Sequence, residues 1–323
     1  MTQQATAATK ALDPSKFQDP DRTAKGERRA AVALTGLTTL WFNTGTLCNL
    51  TCRSCYIESS PTNDRLAYLA PGEVTPYLDE IARRDLPTRE IAFTGGEPFM
   101  NPDFMAILEA TLARGFRALV LTNAMRPMMK SAGALLALRD NYGEALVIRV
   151  SIDHYTEALH ELERGRHSWR PSIAGLVWLA EHGFRPRVAG RTLWGEPVAK
   201  LRAGYARLFA ELGLAIDAHD AAALVLFPEM NAELDVPEIT TECWGILNVD
   251  PASVMCATSR MVVKRKGAAR PVVMPCTLIP YDDRFVMGAS LAEATGAVKL
   301  NHPHCARFCV LGGGSCSRAE GAA

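Results

Sequence analysis

Hydrophobic residues in this chain come in short, nearly unbroken runs separated by longer stretches with helical spacing. The runs are residues 37–43 (LTTLWFN), 90–94 (EIAFT), 117–122 (RALVLT), 146–152 (LVIRVSI), 185–193 and 222–227 (AALVLF). Between them, residues 71–85 (PGEVTPYLDEIARRD) open on a proline, which suits the first turn of a helix. Residues 102–114, 127–141 and 198–212 also read as helices, and residues 173–182 end a helix closed by Gly183. Strands apolar on both faces, alternating with helices, predict a parallel sheet covered by helices. With six such strands the expected α/β fold is a parallel partial (β/α)6 barrel, TIM-like. Periodicity alone leaves an open doubly wound sheet as the alternative. No internal repeat or low-complexity tract interrupts the pattern.

Near residue 229 the alternation stops. Pro228, Pro237, Pro251, Pro271 and Pro275 punctuate the rest of the chain. Residues 260–265 (RMVVKR) and 272–274 predict a short hairpin turning around Lys266-Gly267. A boundary between residues 228 and 243 gives three expected parts: a poorly ordered lead (1–36), a core domain (37–235) and a small C-terminal domain (236–323). The lead is polar and lacks the apolar stretch of a signal peptide. No apolar run approaches the roughly 20 residues that span a bilayer.

Composition narrows the chemistry. The 35 basic and 35 acidic residues cancel, so nothing in the charge draws the protein to nucleic acid or a membrane surface. A cytoplasmic protein with a small or neutral partner is expected. Nine cysteines are many for a reducing compartment, where such cysteines serve more often as metal ligands or catalytic groups than in disulfides. Three lie at Cys48, Cys52 and Cys55. Residues 56–242 contain none, and the other six come after them. Two clusters predict two metal sites.

Cys48-Asn-Leu-Thr-Cys52-Arg-Ser-Cys55 has the spacing C-x3-C-x2-C. Three thiolates so close converge only if their loop wraps around something. A cubane [4Fe–4S] cluster normally takes four Cys ligands, so three leave one iron open to a substrate or cofactor. The alternatives are structural zinc, which usually comes with paired Cys units and a fourth ligand, or three unrelated thiols.

The motif CNLTCRSCY resembles the signature of the radical S-adenosylmethionine (radical SAM) superfamily. Gly95-Gly96-Glu97-Pro98 follows the second strand, where that superfamily carries its GGEP motif. Ser151-Ile152-Asp153, ending the fourth strand, is similar to its ribose-side motif. Arg164 sits where many members place an arginine for the SAM carboxylate. Ser54 departs from the aromatic residue that many members carry before the third cysteine, and Tyr56 follows instead, a form shared with peptide-modifying members. The resemblance implies catalytic cysteines at 48, 52 and 55 and SAM contacts from Gly95, Gly96, Glu97, Pro98, Ser151, Asp153 and Arg164. Their chemistry agrees: a carboxylate for the SAM ammonium, a guanidinium for its carboxylate, a hydroxyl for ribose or carboxylate oxygen, and glycines that admit close approach. The plainer readings are a strand-ending turn for the glycines, a helix cap for Ser151 and Asp153, and a solvated charge for Arg164.

In the tail, Cys256 and Cys276 flank the expected hairpin, and Cys305-x3-Cys309-x6-Cys316 comes after it. This looks like the twitch domain, the shortened relative of the SPASM extension, which implies an auxiliary [4Fe–4S] cluster. Four seats are needed. Cys305, Cys309 and Cys316 compete for two of them, and Cys243 falls outside the pattern as a core thiol. Zinc or buried free thiols are the alternatives. The implied enzyme takes an electron from a flavodoxin or ferredoxin and cleaves SAM reductively to a 5′-deoxyadenosyl radical. That radical abstracts hydrogen from a small-molecule or peptide substrate, with net oxidation assisted by the auxiliary cluster. A non-catalytic iron–sulfur electron carrier and a zinc-stabilised module are the competing readings.

Overall fold

The structure is a computed structural model that describes residues 10–314. Its main feature is one eight-stranded sheet. Six parallel strands follow in chain order: β2 (Thr39–Asn43), β3 (Glu90–Thr94), β4 (Arg117–Thr122), β5 (Leu146–Ser151), β6 (Arg187–Arg191) and β7 (Leu224–Phe227). Neighbours in the chain are neighbours in the sheet, in register Trp41↔Ala92↔Leu119 across the first three. The long connections carry α1 (Pro71–Arg83), α2 (Phe104–Leu112), α3 (Arg126–Lys130), α4 (Ala132–Tyr142), α5 (Glu157–Arg164), α6 (Trp169–Glu181) and α7 (Val198–Glu211). These are the six strands expected from the apolar runs, arranged as a part-barrel left open at β7. The helix expected over residues 127–141 is broken at Ser131 into α3 and α4. Helix α5 was not expected, because it is only eight residues long, mostly polar, and buries only His160 and Glu163.

Side-chain alternation divides the core. Leu40, Phe42, Ile91, Phe93, Ile148 and Val150 share one cluster with the helices. Trp41, Ala92, Leu119 and Val147, at the intervening positions, meet the tail residues Met261, Met274, Leu278 and Phe308 in a second cluster. The C-terminal segment therefore packs on the inner face of the sheet.

The expected hairpin forms from β8 (Ser259–Val263) and β9 (Val272–Met274), which pair antiparallel. It does not make a sheet of its own. Strand β8 adds parallel to β2, with Leu40 opposite Arg260, and so covers an edge that would otherwise be exposed. A short helix α8 (Cys243–Leu247) precedes it.

The N-terminal lead departs from its expected disorder over its described part. Phe17, Ala30 and Val32 are buried with Val236, Ile239 and Leu300. Strand β1 (Ala31–Val32) pairs antiparallel with β10 (Val298–Lys299). Arg29, 3% exposed, bonds to Glu238 at 2.6 Å, and Lys16 to Asp235 at the same distance. The segment reads as polar because its charges find partners more than 200 residues away, which local composition does not reveal. Among the described residues no helix is long and apolar enough to cross a membrane.

Candidate functional site

A cleft with about 940 Å³ of empty space opens at the C-terminal ends of the parallel strands. Active sites of parallel barrels gather at this end. Cys48, Cys52 and Cys55 all line it, with Gly95, Gly96, Ser151, Asp153 and Arg164. The structure thus brings most of the sequence-predicted site into one place. Glu97 and Pro98 lie just outside its wall.

The cysteine loop leaves β2 and is held at both ends. Cys48 N–H donates to Ser60 O (3.0 Å) and Arg53 N–H to Glu163 O (2.8 Å). Ser54, where an aromatic residue is common among relatives of this motif, has its hydroxyl bonded to Glu163 and receives Arg191 Nη2 at 3.2 Å. All three thiols are free. Burial pushes Cys48 up to about 12 and Cys52 up to about 11, against the smaller pull of Arg164. A metal that binds them therefore displaces protons.

Gly95 and Gly96 act on this loop. Gly95 has φ +148°, and a Cβ there would lie 2.4 Å from Gly45 O. A Cβ on Gly96 would meet Leu47 O at 2.2 Å. Gly96 N–H donates to Gly45 O and Glu97 N–H to Leu47 O. Both glycines were expected to make room for a ligand, but the closest neighbour they make room for is the backbone leading into Cys48. Replacing Gly96 with Ala is expected to push that backbone out, at a cost of about 1–3 kcal/mol. Urea unfolding and iron content of the variant check this. Unchanged values for both would show that the loop yields freely.

Glu97 is 2% exposed and sits beneath the cleft, not on its wall. Its carboxylate accepts from Asn123 N–H (2.8 Å), Thr122 Oγ1 (2.8 Å) and Phe99 N–H (3.3 Å). Burial raises it to about 7, and these hydrogen bonds resist the shift. Thr122 and Asn123, which it braces, do line the cleft. Arg164 and Asp153 form a close pair, Nε to Oδ2 at 2.8 Å and Nη2 to Oδ1 at 3.1 Å. Arg164 is therefore no solvated surface charge. Nη2 makes the hydrogen bond of the pair, so donors remain on the guanidinium for a ligand. Sequence reasoning missed Arg191, Glu163, Phe227, Met230, Leu278 and Phe308 on the wall. Phe227 ends a predicted strand and Arg191 lies two residues before the end of another, and those positions were the available signal. The tail residues carried none.

A second, apolar cavity lies beside the first. Cys256, Cys276, Cys305 and Cys309 line it together. Cys305 and Cys309 sit on a π-helical turn, Cys305–Val310, where a separation of four places both on one face. Cys316 lies outside the described residues. Leu278 lines both cavities and so forms a shared wall. Among the described residues no three Cys, His, Asp or Glu side chains are close enough to hold a single metal ion. Each set of thiols lines the wall of a cavity, a setting that fits a cluster of several atoms.

The Radical SAM superfamily model matches residues 42–196. Residues 42–196 are a radical SAM domain. Its cofactors are a [4Fe–4S] cluster and S-adenosylmethionine, and three free thiols on a wall shared with Asp153 and Arg164 fit them. The chain is 31% identical over 143 residues to the antilisterial bacteriocin subtilosin biosynthesis protein AlbA of Bacillus subtilis (strain 168), covering 44% of this chain and 30% of AlbA. It is 28% identical over 142 residues to mycofactocin maturase MftC of Mycobacterium ulcerans (strain Agy99), covering 42% and 35%. The match thus spans about a third of either curated relative. The fold is similar to that of Streptococcus suis SuiB bound to precursor peptide SuiA, with TM-score 0.59 and 11% identity over 82% of this chain and 66% of that one. The parallel part-barrel expected from the strand pattern is the fold observed.

Proposed function

We propose that this radical SAM chain is an enzyme that modifies a peptide by hydrogen abstraction, with net oxidation through a second cluster in the four-cysteine cavity. The observation that carries the reading is the adjacency of the two cysteine-lined cavities across Leu278. When bound, the first cluster and SAM supply a carbon radical that removes a hydrogen atom from the substrate. The chain's own residues do the rest. Cys48, Cys52 and Cys55 would hold the cluster through three of its irons, and their count would leave one iron for SAM. Arg164, oriented by Asp153, meets the SAM carboxylate, and Ser151 a ribose or carboxylate oxygen. Phe227, Met230, Leu278 and Phe308 give the cleft an apolar wall that excludes water from the reacting centre. The peptide substrate class is supported by the bacteriocin biosynthesis protein and the maturase among the relatives.

The test is anaerobic reconstitution with SAM, dithionite and a library of short synthetic peptides. Deuterium should pass from a uniformly deuterated peptide into 5′-deoxyadenosine. Transfer from a small alcohol but from no peptide would move the substrate to the small-molecule class.

Glu97 gives this reading a pH signature. Three donors reach its carboxylate, and about four can be accepted, so one place remains for the SAM ammonium. Because burial raises the free carboxyl to about 7, SAM binding below that pH must first remove a proton. Affinity is expected to rise about tenfold per pH unit up to pH 7 and then level. The same raised value makes the ligand-free fold lose stability as pH climbs from about 4.5 through about 7. Calorimetry of SAM binding between pH 5.5 and 8.5 reads the slope. A slope that survives in Glu97→Gln would assign it to another group.

A further inference from the structure

Arg260, on β8, is 1% exposed. Its guanidinium donates only to backbone carbonyls: Nε to Ala294 O (2.9 Å), Nη1 to Cys256 O (2.6 Å) and Ser259 O (2.8 Å), and Nη2 to Gly296 O (3.1 Å). Two other enclosed arginines have carboxylates: buried Arg29 has Glu238, and half-buried Arg164 has Asp153, while buried Arg191 bonds the Ser54 hydroxyl beside the first cysteine set. Its Nη1 holds the carbonyl of Cys256, and Cys256 and Cys276 are the neighbouring groups that become negative once their thiols give up a proton. These two cysteines line the second cavity from either side of the β8–β9 hairpin. Carbonyl dipoles solvate a guanidinium but do not neutralise it, and a buried cation without a counter-charge is costly.

A cubane held by four thiolates is an anion, and it gains a further negative charge when reduced. Building on the second cluster proposed above, we propose that Arg260 is its counter-charge: the buried guanidinium stabilises an anionic cluster at Cys256, Cys276, Cys305 and Cys309 and raises its reduction potential. The effect favours the reduced state more than the oxidised one, because the reduced cluster carries more negative charge. A cluster so placed is a better electron acceptor for the neighbouring cleft. The absent partner and the neighbouring thiols thus have one explanation.

The experiment uses the full chain with Cys48, Cys52 and Cys55 replaced by Ala, so that only the tail cluster remains. Anaerobic potentiometric titration, followed by electron paramagnetic resonance, reads its potential with Arg260, Arg260→Lys and Arg260→Gln. Gln keeps hydrogen-bond donors without charge, and Lys keeps charge without the forked geometry. The potential is expected to fall in Arg260→Gln and to stay near the parent value in Arg260→Lys. Loss of iron in the Gln variant alone carries the same meaning. A Gln variant with full iron and the parent potential overturns the proposal. So does an equal shift, or equal loss of iron, in both variants, which would make Arg260 a brace for the four carbonyls. If the parent background holds no iron, the second cluster itself is absent and the proposal falls with it. Iron content therefore tests the cluster, and the potential tests Arg260.

Discussion

Replacing Cys48, Cys52 and Cys55 together with Ala is expected to reduce 5′-deoxyadenosine formation to background while the protein stays folded. The loss is complete because one iron–sulfur site supplies the electron at the SAM sulfonium, and no other thiol among the described residues lines the cleft. Folding survives because main-chain bonds anchor the loop independently of the sulfurs: Cys48 N–H to Ser60 O, Arg53 N–H to Glu163 O, and Ser54 N–H to the Glu163 carboxylate at 2.9 Å. Iron should fall from about eight to about four per chain, since each cubane carries about four. Circular dichroism, iron assay and chromatographic measurement of 5′-deoxyadenosine with dithionite check the three parts. Full cleavage activity in the folded triple variant would sink the assignment of the radical cluster.

The range of the forces involved decides which parts of this molecule were legible in its sequence. Strands β3 and β4 lie where their apolar runs begin and end, because a parallel strand buried on both faces leaves a continuous local signature. Helix α5 left none, since it is mostly polar and carries Glu163 and Arg164 towards the cleft. The lead was misread for a related reason. Phe17 and Arg29 look like parts of a solvated tail until Glu238 and the strand at Val298–Lys299 close over them. Within the site, motif spacing located the cysteines, the glycines, Ser151 and Arg164, because loops after strands place their residues at one end of the sheet. Spacing does not say what a side chain touches. Glu97 is occupied by Thr122 and Asn123, and Gly96 by the backbone of Leu47, and both facts depend on how two loops cross. The tail's position on the inner face of the sheet was beyond reach for the same reason: Leu278 and Phe308 reach the cleft only through contacts with distant strands.

In the tail, the sequence leaves three cysteines for two seats, and the second cavity allows a sharper expectation. Cys256, Cys276, Cys305 and Cys309 already share it, so four described thiols meet the four places of a cubane. On the triplet-deleted background, Ala at any one of these four is expected to remove most of the remaining iron, or to leave a cluster that oxygen quickly destroys. Cys316→Ala and Cys243→Ala are expected to keep about four irons. Cys243 is only partly buried, its sulfur is engaged by Thr240 at 3.3–3.4 Å, and it does not line the cavity. Burial sharpens the contrast. The Cys305 thiol is pushed up to about 12 and Cys256 to about 11, so these positions are poor places for a free thiolate and become favourable only when a metal replaces the proton. Mössbauer spectra of each variant separate a lost cluster from a damaged one. Retained iron in Cys309→Ala with loss in Cys316→Ala would give the fourth seat to Cys316. The π-helical turn that carries Cys305 and Cys309 would then need another explanation.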